Sequence, residues 1–125
     1  METYTACYKS PLGNIEIVGT RESIVELNFV EDAAFTDSEL PFCVKACLKQ
    51  IDEYFRLLKI AGSISKLFST NTIPLLNYRN VEYVFCKAFE AENLSRSDVS
   101  VDAQKNDTGI GIKTYIGTGE YSFEK

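Results

Sequence analysis

Apolar and polar residues alternate with a period of two over residues 3–30, and with a period near 3.6 after Pro41. That change of period predicts a sheet followed by a helix. Thr3 to Lys9 is rich in Tyr and Thr and reads as a strand. The turn Ser10-Pro11-Leu12-Gly13-Asn14 follows, with Pro fixing φ early and Gly supplying a positive φ later. From Asn14 to Thr20, Ile15, Ile17 and Gly19 fall on one face, with Glu16 and Val18 on the other. After a polar turn at 20–23, Ile24 to Val30 gives a third strand, with Ile24, Glu26 and Asn28 opposed to Val25, Leu27 and Phe29. A three-stranded antiparallel meander with one face to cover is the expected result.

Residues 31–39 form an acidic connector. Beyond it Val44, Cys47, Leu48, Ile51, Tyr54, Phe55 and Leu58 share one helical stripe, while Lys45, Lys49, Asp52 and Glu53 face away. Ser38 or Asp37 is placed to cap this helix, and Pro41 suits its first turn. Burying the stripe contributes about 1.5–3 kcal/mol per large side chain. The Gly, Ser, Thr and Asn residues of 57–73 predict a helix end near Gly62 and then a loop. Asn77 is a cap candidate for a second helix over roughly 77–90, with Tyr78, Val81, Phe85, Ala88 and Phe89 as its apolar stripe. A short strand near Val99–Ala103, a turn at Lys105–Gly109 and a strand at Ile110–Ile116 are expected next. The tail from Gly117 is polar. The fold class is α+β: a three-stranded antiparallel meander packed on one long helix, then a helix and a short hairpin-like unit. The expected division is 1–58, a connector at 59–72, and 73–125 as a second, incomplete domain.

The first block resembles a known unit. The SPLG turn, the IEIVGT strand, the LNFV strand and the QIDEYF helix segment look like the N-terminal domain of the DNA-repair alkylguanine alkyltransferases, the methylated-DNA–protein-cysteine methyltransferases. The resemblance covers residues 3–56, a little under half of the chain. It implies a ribonuclease-H-like sheet on a helix, acting as a supporting domain. In that family the methyl-accepting cysteine lies in a separate helical domain, in a Pro-Cys-His-Arg motif beside a helix-turn-helix. None of those features follows Arg56 here, and a chain without histidine has no such motif. No functional residue of that family carries over. The expectation is a truncated or fused relative without methyl transfer.

Composition sharpens the picture. Apolar residues make up 45% and charged residues 25%, a globular profile. No apolar run approaches the roughly 18 residues of a membrane span, and no basic-then-apolar leader is visible, so a cytoplasmic, soluble protein is expected. The net charge of −5 is uneven: residues 1–56 hold five Lys/Arg against ten Asp/Glu, and residues 57–125 hold eight of each. An acidic first half is a poor partner for a phosphate backbone. DNA remains a partner by resemblance only, and the oligomeric state is left open. Tyr8, Lys9 and Arg21 are candidates for a minor DNA-facing patch, with solvated turn residues the plainer account.

One catalytic pattern stands out in the second half: Glu82 on a helix, Asp98 and Asp102 on or before a strand, then Gly111-Ile112-Lys113. Metal-dependent nucleases hold a divalent cation such as Mg²⁺ with carboxylates at a strand end, Asp98 and Asp102 here, and set a lysine near the attacking water. The order of elements and the run GIGIKTYI resemble restriction-type nucleases, which makes a nuclease fragment the alternative reading. Gly111 departs from that pattern, which wants a carboxylate or amide two residues before the lysine; Glu82 would substitute. The plainer account is two surface aspartates flanking a turn and a solvated Lys113. The cysteines Cys7, Cys43, Cys47 and Cys86 are expected to be reduced. Cys43 and Cys47 are one helical turn apart, but zinc sites use tighter loop spacing, so packing is the preferred account. Gly109-Ile110-Gly111 lacks the Lys-Ser/Thr and helix of a phosphate loop. A plain interaction module is the third reading.

Overall fold

The computed structural model describes residues 1–34, 38–68, 70, 76–94, 98–117 and 121–123, apart from the side chains of 115–117 and 121–123. The chain divides into two compact units, Met1–Phe55 and Arg56–Lys125, with the boundary inside its long helix.

In the first unit, β1 (Tyr4–Ser10), β2 (Gly13–Gly19) and β3 (Ile24–Val30) form the expected antiparallel meander in the order β1-β2-β3. The first turn is held by Ser10, whose hydroxyl accepts from Leu12 N–H at 3.1 Å and donates to the Gly13 carbonyl at 2.6 Å. Gly13 has φ +132°, a conformation that favours glycine. In the second turn Thr20 Oγ1 accepts from both Glu22 and Ser23 N–H at 3.2 Å.

Alternation places Tyr4, Ala6 and Tyr8 of β1 and Ile15, Ile17 and Gly19 of β2 on one face, and the register sets Phe29 beside Ile15 and Leu27 beside Ile17. One expectation is corrected here. Ile24 was assigned to the polar face with Glu26 and Asn28, but it pairs with Gly19 on the apolar face. The cause is an irregularity at Val18/Gly19, where β3 carries one extra residue against β2 and the alternation slips.

α1 (Phe42–Ser65) covers this face. Pro41 precedes its first residue, and the Pro41 carbonyl accepts from Lys45 N–H at 3.1 Å, so proline serves as the cap rather than as the first helical residue. Asp37, one of the two cap candidates, lies outside the described residues. Val44 and Ile17 are fully buried and Ile51 nearly so. Asp52 flanks the stripe instead of facing away: its Oδ1 accepts from Tyr8 O–H at 2.9 Å, and the Tyr8 ring stacks on Phe55 with centroids 5.9 Å apart. The bond to Asp52 raises the Tyr8 phenol pKa. The helix runs past Gly62, which does not take the left-handed conformation that would end it, and closes with a 3-10 turn at Lys66–Phe68.

The second unit contains α2 (Tyr78–Phe89), with Asn77 capping as expected: its side chain accepts from Arg79 N–H at 2.9 Å. At the other end Glu90 adopts the left-handed conformation, and Lys105 Nζ donates to the Phe89 carbonyl at 2.5 Å. A basic group at carbonyls left open by the helix end is favourable. Tyr78, expected on the apolar stripe, is instead exposed.

A small antiparallel sheet follows, β4 (Glu92–Asn93), β5 (Ala103–Lys105) and β6 (Thr108–Ile110) in that order. The expected strand at Val99–Ala103 therefore begins only at Ala103. The turn is the tight pair Asn106-Asp107, with Asn106 at φ +53°, rather than the longer one ending at Gly109. Asparagine tolerates that conformation, so the chain reverses before the glycine is reached. The strand expected over Ile110–Ile116 is interrupted at 111–114 and resumes as β7 (Tyr115–Gly117), which pairs with β8 (Tyr121–Phe123), a strand not expected in the polar tail.

Gly19 is a point of close approach between the sheet and α1. A Cβ there would lie 2.7 Å from Val44 Cγ2 and 3.1 Å from the Ser23 carbonyl oxygen. Gly19→Ala is expected to lower stability by about 1–3 kcal/mol through overpacking. The combination with Val44→Ala should cost less than the two single changes added together, as read from urea midpoints in a double-mutant cycle.

Candidate functional site

Helical spacing sets Glu82 and Cys86 on one face of α2, four residues apart. Both are buried, at 5% and 7% exposure, beside Val81 and Ala88. Burial raises the Glu82 carboxyl pKa, and the nearby Asp102 carboxylate raises it further, against a smaller opposing pull from Arg79. Arg79 Nη1 lies 3.8 Å from Glu82 Oε2, an oxygen with no hydrogen-bond partner. The same environment acts on the thiol: burial, then Glu82, then Asp102 push the Cys86 pKa up. A thiol held in this way is a poor source of thiolate.

Asp102 precedes β5 and is half-buried. Its Oδ2 accepts from Ile112 N–H at 2.8 Å. That side chain occupies a backbone donor just past the end of β6, and the interruption of the expected long strand at 111–114 begins there. Of the four proposed nuclease residues, Glu82 and Asp102 are thus brought within electrostatic reach. Asp98 lies exposed in a bend, and Lys113 is exposed next to Ile112. Among the described residues, no group of three or more His, Cys, Asp or Glu side chains is gathered closely enough to hold a metal ion.

The remaining thiols lie elsewhere. Cys7 faces Glu16 across β1 and β2, on the side of the sheet opposite Tyr8 and Ile15. Cys43 Sγ donates to the Thr20 carbonyl at 3.2 Å, and Cys47 is half-buried on α1; none of the four cysteines is in a disulfide. The candidate patch of Tyr8, Lys9 and Arg21 does not share a face. Tyr8 turns to α1, its neighbour Lys9 to the other side of the sheet, and Arg21 donates through Nε to Tyr4 Oη at 3.1 Å, with Glu2 at 3.4 Å.

With the sheet, its covering helix and the thiols in view, the first block can be compared with known protein families. Residues 3–59 match the family model described as 6-O-methylguanine DNA methyltransferase, ribonuclease-like domain. This segment is a ribonuclease-like domain of that family. The match spans a little under half of the chain and ends inside α1. No curated protein and no solved structure matches the chain. Among the described residues no helix is long and apolar enough to cross a membrane.

The Glu82–Cys86–Asp102 grouping was only half legible in the sequence. Glu82 and Cys86 share a helix face by spacing, but the approach of Asp102 depends on a strand that starts later than the apolar pattern implies.

A carboxyl whose pKa is higher folded than unfolded binds more protons in the folded state. Its contribution is therefore full at low pH and is lost as pH rises from the unfolded toward the folded pKa. Glu82→Gln should flatten that decline. Thermal midpoints taken between about pH 4 and 8 should converge for parent and variant at the acid end and favour the variant at the neutral end.

Proposed function

We propose that this chain is a relative of the DNA-repair methylated-DNA–protein-cysteine methyltransferases that keeps their N-terminal domain and is not itself a methyl acceptor. The observation that carries this reading is the family match over residues 3–59, joined to a segment without Pro-Cys-His-Arg in a chain without histidine. Taking an alkyl group from a base requires a thiolate, which a neighbouring base or cation must stabilise. Cys86 has two carboxylates nearby, which oppose its ionisation. The first unit then serves as a scaffold. DNA carrying methyl-labelled O6-methylguanine, incubated with the purified chain, should leave far less than one label per chain; stoichiometric labelling of any cysteine would refute the reading.

One observation favours a second reading, a fragment of a metal-dependent restriction-type endonuclease: a buried helix carboxylate, Glu82, lies within electrostatic reach of Asp102 ahead of a strand. Mg²⁺ is often held by one or two carboxylates, completed by water and substrate phosphates, and a Glu82 oxygen that accepts no hydrogen bond suits such a role. Glu82 and Asp102, with Asp98 and Lys113, would be the residues concerned. Mg²⁺-dependent DNA cleavage that disappears in Asp102→Ala would support this reading, and no cleavage at any Mg²⁺ concentration would end it.

A further inference from the structure

The two edges of the first sheet are treated differently. On the apolar face β1 presents Tyr4 and Ala6, both buried beneath α1, while β3 presents Leu27 and Phe29, which are 54% and 66% exposed. A helix is about 10–12 Å across with its side chains, and strands lie about 4.8 Å apart, so one helix covers two strands well and a third poorly. α1 sits over the first two, with Val44 against Gly19 of β2 and Asp52 and Phe55 against Tyr8 of β1.

The outer edge of β3 is also open. No strand pairs beyond it among the described residues. Proteins usually blunt such an edge with lysine, proline or a very short strand. β3 has seven residues, no proline and no lysine; its one irregularity lies at the Ile24 end, leaving residues 26–30 regular, and Glu26 is its one charged residue.

We propose that β3 is the seat of a two-fold antiparallel pairing with a second copy of this chain. The strand's own order argues for that occupant. Keeping the apolar rows of both copies on one side of the joined sheet allows only registers centred on a residue. Centring on Glu26 sets carboxylate against carboxylate. Centring on Asn28 leaves Glu26 opposite Val30. Centring on Leu27 pairs residues 25–29, short of the slip before them: Leu27 meets Leu27, Val25 meets Phe29, and each Glu26 meets the Asn28 amide of the other copy. The fit of that last pair is already visible within one strand, where Asn28 Nδ2 donates to Glu26 Oε2 at 3.4 Å. The only charge on the edge therefore finds a donor, and no like charges face each other.

The result is a six-stranded sheet with a helix over each outer pair of strands and an apolar row at its centre. A contact of this kind is small beside the roughly 1,200–2,000 Å² of stable interfaces, so it forms at high protein concentration. Both copies bring the acidic excess of residues 1–56, and salt should strengthen the pairing by screening it.

Sedimentation of the full chain over about 10–500 μM tests this, since self-association depends on concentration. The mass should rise toward twice that of the chain, and further with added salt. Leu27→Lys, which opposes two ammonium groups at the two-fold axis, should return it to the monomer with an unchanged circular dichroism spectrum. Leu27→Cys should give a disulfide-linked dimer on oxidation, in excess of the parent and of Glu26→Cys. Should Leu27→Lys fail to fold, the cross-link decides. A monomer at every concentration, as a different occupant of this edge would leave it, overturns the proposal. So does a dimer indifferent to Leu27→Lys, or a Leu27→Cys chain that cross-links no better than the parent.

Discussion

The first unit depends on how closely α1 can approach the sheet, and that approach is set where Val44 meets Gly19. With no side chain at 19, the helix settles against the backbone of β2, and Ile17, Val44 and Ile51 close into a core that excludes water. A unit of this size buries only about 60% of the surface its unfolded chain exposes, so a few fully buried aliphatic groups carry much of its stability. The same seat fixes what remains uncovered. Because the helix lies over β1 and β2, the apolar side of β3 stays open to solvent.

The second unit solves a different problem. Its buried residues on α2 include a carboxyl and a thiol, and the middle strand of its small sheet begins at Ala103, which is fully buried. Placing Glu82 among apolar neighbours opposes its ionisation, with Arg79 close by as a partial counterweight. An arrangement of this kind is costly for stability alone, and perturbed carboxyls of this type recur at functional sites. It is also a poor setting for alkyl transfer, since negative charge nearby keeps sulfur protonated.

The first unit was largely legible because its signals are short-range and agree with one another. Period-two alternation, the Pro-Leu-Gly turn and the stripe from Val44 to Leu58 all specify the same sheet and helix. Ile24 escaped because a single extra residue opposite Gly19 reverses the side of everything before it, and alternation read within one strand cannot reveal what its neighbour does. In the second half the cap at Asn77 was readable from local chemistry. The strand limits were not, since they depend on Asn106 turning the chain early and on Asp102 taking the Ile112 N–H. Both turn on polar residues, Asn106 and Asp102, that the apolar pattern treats as plain surface positions.

The close approach at Gly19 has an evolutionary consequence. In homologues that share this helix seat, positions 19 and 44 should vary as a linked pair. A larger residue at the first would be tolerated with a smaller one at the second, while the neighbouring Ser23 carbonyl limits how far that exchange can go. Drift in this part of the domain is thus confined to a narrow path of compensated substitutions.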